Sequence, residues 1–302
     1  MTPQPLRTPF NWFTNQPYLL LSLTSLFWAG NIVVGRYVAG HVPPLTLSCV
    51  RWIGAFVLLL PFAWRPLRSD WRTIRGHIPL ILVLALTGFA ANTALAYAGL
   101  QYTQALNALL IQSSGPLCVA LWTLILFGVR LTPAQLLGIV VSMAGVLVII
   151  LRGDPTALAS VEINKGDAML AGALLIFGIY SALMIKRPVT HPMSLIAATT
   201  GFGALMSIPA SVWELRSGSP LYFDAVTFLA LAYAIVFPSV LAYLFFNRGI
   251  ALIGPNRAAP FLHLMPVFGS VMAIVFLGEQ PRLFHLAGYV LVISGVVIAS
   301  RR

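Results

Sequence analysis

Ten apolar runs, each near twenty residues long, follow one another along this chain: 17–39, 45–64, 78–98, 105–127, 132–151, 167–185, 193–213, 226–246, 256–277 and 283–300. About 20 helical residues cross the hydrocarbon core of a bilayer. Membrane-spanning strands alternate apolar and polar residues over roughly ten positions, and these runs do not. The fold class that follows is an all-α integral membrane protein with ten transmembrane helices. Composition agrees, because 8% of the 302 residues are charged, whereas soluble domains carry about 25%.

The net charge of +11 and the pI of about 10.4 are values that nucleic-acid binders also reach. The positions of the charges exclude that partner. With ten spans the loops alternate sides. One side holds Arg7, Arg65, Arg68, Arg72, Arg75, Arg130, Lys186, Arg187, Arg248, Arg257, Arg301 and Arg302, with Asp70 as its one acid. The other holds Arg152, Lys165, Arg216 and Arg282 against Asp154, Glu162, Asp167, Glu214, Asp224 and Glu279. Basic residues concentrate on cytoplasmic loops, so the N- and C-termini are expected in the cytoplasm of a multi-pass protein of the bacterial inner membrane. Cys49 and Cys118 lie inside apolar runs, where a free thiol behaves as a small hydrophobe. The first residues, "MTPQPLRTPFNWFTNQ", lack a signal-peptide n-region and cleavage site, so the first helix is expected to act as an uncleaved anchor.

The chain repeats itself. At an offset of 150, Gly99/Gly249, Pro116/Pro266, Gly128/Gly278, Gly138/Gly288 and Gly145/Gly295 coincide, with Ala108/Ala258, Leu136/Leu286 and Val140/Val290. Earlier in each half the offset is 148, matching Gly30/Gly178, Pro44/Pro192 and Pro61/Pro209. The expected organisation is a cytoplasmic segment 1–16, a first five-helix repeat 17–151, an external linker 152–166 and a second five-helix repeat 167–302. Five spans per half make the second repeat insert upside down. Inverted repeats are typical of secondary transporters, with the site near the midplane between them. A duplicated channel or an intramembrane enzyme is the competing reading.

"FWAGNIVVGRYVAGHVPPLTLSCVRW" resembles the opening of EamA-type proteins of the drug/metabolite transporter superfamily: a tryptophan and small residues before an Asn, a Pro ahead of the second helix and an Arg early in it. "NTALAYAGLQYTQALNALLIQSSGPLCVALWTLILFGVRLTPAQLLGIVVSMAGVLVI" and its second copy "NRGIALIGPNRAAPFLHLMPVFGSVMAIVFLGEQPRLFHLAGYVLVISGVVI" resemble that family's third-to-fifth-helix signature. The first copy departs from it, with Val129 and Arg130 where the second has Glu279 and Gln280. The resemblance spans essentially the whole chain and implies a ten-helix exporter or exchanger of small metabolites. Within the superfamily it leans toward bacterial amino-acid exporters of the YddG type.

Candidate pathway residues come from helical phase. At about 100° per residue, Thr24, Trp28, Asn31 and Gly35 share a face, and polar groups in membrane helices turn inward. Asn31 is therefore expected in a cavity with Trp28 as its wall. The plainer alternative is an asparagine that only joins two helices. Arg36, near a helix end, is expected to snorkel. Arg51 lies about 9 Å into its helix and is expected to serve structure before substrate. Asn107, Ser114 and Cys118 share a face of the fourth span beside Gln112 and Ser113. Pro116 frees the Gln112 carbonyl, and the ninth span carries Pro260, His263 and Pro266, so these two spans are expected to bend as repeat-related gates. Ser239, Tyr243 and Asn247 follow four-residue steps, and Asn92, Tyr97 and Tyr180 add amide and aromatic groups. Apolar walls with a few polar contacts suit an amino acid; interhelical bonding and interfacial anchoring explain the same residues.

All seven acids fall in loops or at helix ends. Proton-coupled carriers commonly use a buried carboxylate, so facilitated efflux or exchange of neutral or zwitterionic solutes is favoured, with His263 the one histidine deep in a span. No HExxH, GxSxG, Walker or clustered His/Cys/Asp motif is present, so no catalytic residue, metal or cofactor is expected. A phosphate-ester or nucleotide-sugar carrier would need several Lys/Arg at mid-membrane. The expected function is export of small metabolites, foremost neutral or aromatic amino acids, through a cavity lined by spans 1, 3, 4, 6, 8 and 9. The alternatives are a multidrug or other metabolite exporter of the same superfamily, then a phosphate-ester carrier or a channel. The expected partners are that small-molecule substrate, the lipid bilayer and, through glycine-paired spans 5 and 10, internal packing or a second copy of the chain.

Overall fold

The structure is a computed structural model that describes residues 13–128, 132–151, 153–154, 164–253, 261–262 and 264–300. The described residues are almost wholly helical. They form α1 (Pro17–Tyr37), α2 (Pro44–Gly76), α3 (Ile78–Leu100), α4 (Ala105–Gln112, then Gly115–Phe127), α5 (Pro133–Ile150), α6 (Lys165–Leu183), α7 (Pro192–Arg216), α8 (Ala225–Ile253), α9 (Leu264–Leu277) and α10 (Leu283–Ser300). Among the described residues six helices (α1, α2, α3, α6, α7 and α8) are long and apolar enough to cross a membrane alone. The two pieces of α4 meet at 45°, and α5, α9 and α10 are shorter apolar helices. These elements correspond to the ten apolar runs.

Two boundaries move for physical reasons. α2 continues through Arg65, Arg68, Arg72 and Arg75 to Gly76, well past the end of its apolar run. Those arginines and Trp64 and Trp71 are exposed while Ala63 and Ile74 are buried, so the extension is amphipathic, a character that holds helices at a membrane interface. α4 breaks at Ser113–Ser114, just before Pro116, which takes a first-turn position of the second piece. Proline is tolerated there because its missing N–H would have had no partner.

The packing keeps its pattern when the halves are exchanged. α2 packs on α7, α5 on α10 and α4 on α9, each pairing corresponding helices. α3 packs on α6 as α8 does on α1, and α4 on α6 as α9 does on α1. α2 and α7 run antiparallel, each closing the start of the other. Glu214, in the last turn of α7, accepts the Leu45 and Thr46 N–H groups at 3.1 and 2.7 Å, and Asp70 of α2 accepts the His191 N–H at 2.8 Å. Negative charge at a helix N-terminus is favourable.

α5 and α10 approach closely through their glycines. A Cβ on Gly295 would meet the Gly138 carbonyl at 2.5 Å, and one on Gly145 the Gly288 carbonyl at 2.9 Å. The glycine faces are thus used within the chain, while Leu136, Val140, Leu286 and Val290 point outward.

α3 and α8 share an irregularity. Each contains a stretch with one extra residue per turn, Leu86–Ala90 and Val236–Leu241, and these coincide at the offset of 150. Wide turns of this kind collect at functional sites because they release carbonyls from the helical ladder.

Candidate functional site

The two wide turns frame a buried polar centre between α1, α2, α3 and α8. Tyr97 of α3 donates its hydroxyl to Asn31 Oδ1 of α1 at 2.6 Å. Arg51 of α2 donates from Nη1 to the Tyr97 hydroxyl at 3.1 Å and from Nε to Ser239 Oγ at 2.6 Å. Ser239 sends its own proton to the Ala234 carbonyl, five residues back across the wide turn of α8, at 2.7 Å. The guanidinium lies 4.5 Å from the Trp52 ring centroid, and Arg51 is only 5% exposed.

Indole groups satisfy carbonyls at both wide turns. Trp28 donates to the Pro238 carbonyl at 3.0 Å, and Trp52 donates to the Phe89 carbonyl at 3.0 Å and to Thr93 Oγ1 at 2.8 Å. Thr93 also bonds Phe89 and pairs with Ser48. An aromatic wall adjoins this network. Tyr243 meets Trp28 edge-on at 5.6 Å and stacks on Phe89 at 6.2 Å, and Tyr180 meets Phe89 edge-on at 5.7 Å. The arrangement sets hydrogen-bonding groups and one cation beside flat apolar faces.

The structure therefore brings Asn31, Tyr97 and Ser239 together around Arg51, sets Tyr180 and Tyr243 against Phe89, and joins Trp28 to them through Tyr243. Asn92 is half-buried and enters none of these bonds, while Gln112 and Asn247 are exposed. Ser113 and Ser114 turn onto their own helix, donating to the Leu109 and Ile111 carbonyls. The stripe expected along Asn107, Ser114 and Cys118 loses its phase at the break in α4. Pro266 is buried in the first turn of α9; Pro260 and His263 lie outside the described residues.

Asn107 belongs to a second cluster, at the end of the molecule where α3 meets α4. Its Nδ2 donates to both carboxylate oxygens of Asp167 at 3.1 and 3.0 Å, and Thr103 donates to Asp167 at 2.5 Å. His285 Nε2 lies 2.9 Å from Asn107 Oδ1, and His285 Nδ1 accepts the Arg282 N–H at 2.8 Å. Asp167 is fully buried in the first turn of α6. The inference from a missing buried carboxylate is thereby corrected: a helix-end position did not mean exposure. Nearby, Glu279 accepts the Ala105 and Leu106 N–H groups at 2.7 and 2.9 Å, closing the start of α4.

Two cavities open at that same end. The larger, about 720 Å³, is lined by Arg36, Gln101, Gln104, Glu279 and Arg282 among others. The smaller, about 240 Å³, reaches Thr103, Asn107 and Asn164. Arg36 borders both and donates to the Leu100 and Gln101 carbonyls at 2.9 and 3.3 Å, so it closes the end of α3. Among the described residues no three His, Cys, Asp or Glu side chains are grouped to hold a metal ion.

Sequence reasoning missed the depth of Arg51, the roles of Trp52 and Thr93, and the Asp167–His285 cluster. The spacing of Ser48, Arg51 and Trp52 in an otherwise apolar run was the available signal for the first two. None marked the third, whose members are far apart in the chain.

The profile of the EamA-like transporter family matches this chain twice, over residues 15–151 and 164–301. The chain belongs to the EamA-like transporter family. A Bacillus subtilis (strain 168) protein named "Uncharacterized transporter YyaM" is 28% identical over 288 residues, 94% of this chain and 93% of that one. A Salmonella typhimurium protein named "Probable amino-acid metabolite efflux pump" is 28% identical over 290 residues, 92% of this chain and 93% of its own. A Streptantibioticus cattleyicolor protein named "Probable terminal-alkyne amino-acid exporter" is 24% identical and covers 74% of each chain. A crystal structure that covers 94% of this EamA-like chain at a TM-score of 0.59 and 18% identity shares its fold. The chain is a multi-pass membrane transporter, and the two family matches share the repeat seen in its sequence and packing.

Proposed function

We propose that this transporter exports small metabolites, foremost neutral or aromatic amino acids, across the bacterial inner membrane by alternating exposure of a centre between two inverted repeats. The observation that carries the reading is the pairing of wide turns in α3 and α8, at equivalent places in the two halves, around a polar and aromatic centre. Half-equivalent helices with released carbonyls at mid-length give one substrate site that either half can uncover. Amide, hydroxyl and guanidinium groups beside Trp28, Phe89 and Tyr243 suit a zwitterion with an apolar side chain. The efflux and exporter names of two relatives point to the same class.

This reading takes 17–151 and 167–302 as the two repeats and puts both termini in the cytoplasm. A second copy, if the transporter pairs, would dock on the outward faces of α5 and α10, because their glycine faces are already occupied. The test is flux of a radiolabelled amino-acid panel in proteoliposomes, for wild type and Asn31→Ala, with and without a pH gradient. Saturable flux that drops at least about tenfold in the variant is expected. Absence of flux for every amino acid would return the search to drugs and other metabolites.

A further inference from the structure

Arg51 carries a charge that nothing in the described structure balances. Arginine is almost never fully buried unless paired, and an isolated buried charge is costly. Yet Arg51 is 95% withdrawn from solvent by its 5% exposure, and the one ion pair among the described residues joins His41 to Asp224. Glu214, Glu279, Asp167 and Asp70 each bind groups elsewhere.

Its two hydrogen bonds go to neutral hydroxyls whose protons are already directed away, Tyr97 toward Asn31 and Ser239 toward Ala234. Both oxygens therefore present lone pairs to the guanidinium. The Trp52 ring face, 4.5 Å away, favours a cation without neutralising it. These contacts fix the plane of the fork and leave N–H groups over. A planar fork is suited to receive a carboxylate through two parallel bonds.

We infer that Arg51 is the carboxylate-binding residue of this transporter, held in place by Tyr97 and Ser239 and set beside the aromatic wall that takes the rest of the substrate. The inference rests on the amino-acid reading above but narrows it: the carboxylate is the recognised group. A neutral amide or an amine of the same shape lacks the charge that Arg51 needs and is refused. The substrate carboxylate then supplies, at the guanidinium itself, the counter-charge that Arg51 lacks among its protein neighbours.

The test uses the full chain in lipid nanodiscs. Thermal unfolding is followed with phenylalanine, phenylacetate and phenylacetamide, for wild type, Arg51→Gln and Arg51→Lys, beside phenylalanine flux in proteoliposomes. Phenylacetate and phenylalanine are expected to raise the wild-type midpoint and phenylacetamide to leave it unchanged. Arg51→Gln should lose both shifts while its ligand-free midpoint stays level or rises, because an unmatched buried charge is gone. Arg51→Lys, which keeps the charge without the fork, should bind the acids about tenfold more weakly.

Equal shifts from acid and amide, no shift from either acid, or shifts retained in Arg51→Gln would overturn the inference. So would a ligand-free Arg51→Gln that fails to fold, since that is the behaviour of a structural cation, or an Arg51→Lys that binds the acids as tightly as wild type. A response to phenylacetate without one to phenylalanine keeps Arg51 and removes the amino-acid reading. Phenylalanine flux without discrimination between acid and amide does the reverse.

Discussion

The centre and the outer cluster both bury an ionisable group, and they treat it in opposite ways. Among the described residues every carboxylate at the outer end is met. Asp167 receives Thr103 and Asn107, Glu279 receives two N–H groups at the start of α4, and Glu214 receives two at the start of α2. At the centre Arg51 meets only neutral oxygens and ring faces. A saturated charge is a fastening, because any movement breaks bonds that no newcomer can replace. An unsaturated one is an invitation to a ligand. Substitutions in the two regions should therefore fail differently, the outer ones in stability and the central ones in selectivity.

The largest stability loss is expected from Asp167→Ala. The change strips Thr103 and Asn107 of their common acceptor in a buried site, a loss of about 1–3 kcal/mol for each donor left without a partner. Thermal unfolding in nanodiscs reads it, and flux per folded molecule should keep the wild-type preference among amino acids. A variant as stable as wild type but altered in preference would erase the contrast between the regions.

Gly166→Val tests the same fastening through shape. A Cβ there would stand 2.5 Å from the Gly99 carbonyl and 2.9 Å from the Thr103 backbone nitrogen. Backbone cannot rotate aside as a flexible side chain can, so α3 and α6 must separate. Overpacking of this kind costs about 1–3 kcal/mol. Gly115→Ala serves as the control, since its Cβ would meet only Leu174 at 3.5 Å and should unfold with wild type. Equal losses from both would mean that glycine is needed in these helices for some reason other than close approach.

Glu279→Gln should cost less, about 1 kcal/mol, because an amide oxygen still accepts one N–H but the charge at the α4 start is lost. The sequence exposed this residue only as an asymmetry, a glutamate in the second hairpin facing Val129 in the first. Its role depends on α9 and α4 meeting at their ends, which is a property of the packing. The helices themselves were legible, since apolar length alone specifies them, and so was the repeat, because glycine and proline mark close contacts and breaks. Where a helix is regular, phase arguments put Trp28 and Asn31 on the side that bonds to α8 and α3. They failed across the Ser113–Ser114 break, which turned Asn107 toward Asp167 rather than toward Ser114's face. Arg51 was underestimated for another reason: its guanidinium turns across to Tyr97 and Ser239 instead of running along its helix toward the interface. Burial of Asp167 was unreadable because it comes from the end of α3, Thr103 and α4, none of them adjacent to it in sequence.

The smallest effect is expected outside the membrane, where Asp224 stands at the start of α8. Its carboxyl is held below the ordinary carboxylate range, first by the Thr227 N–H and then by His41, with the His41 ring 2.9 Å away and stacked on Tyr222. A folded pKa below the unfolded one stabilises the fold once the pH exceeds the unfolded value, and this contribution disappears as the pH falls through the folded value. The midpoint difference between wild type and Asp224→Asn should therefore be present at neutral pH and close in the acid range. Raised salt should shrink it as well, because both partners are solvent-exposed and screened. The contrast with Asp167 is then one of solvent access alone: both carboxylates sit at a helix start with hydrogen-bond donors around them. If the Asp224→Asn loss equalled that of Asp167→Ala and ignored salt, burial would not be what separates a fastening from an ornament on this molecule.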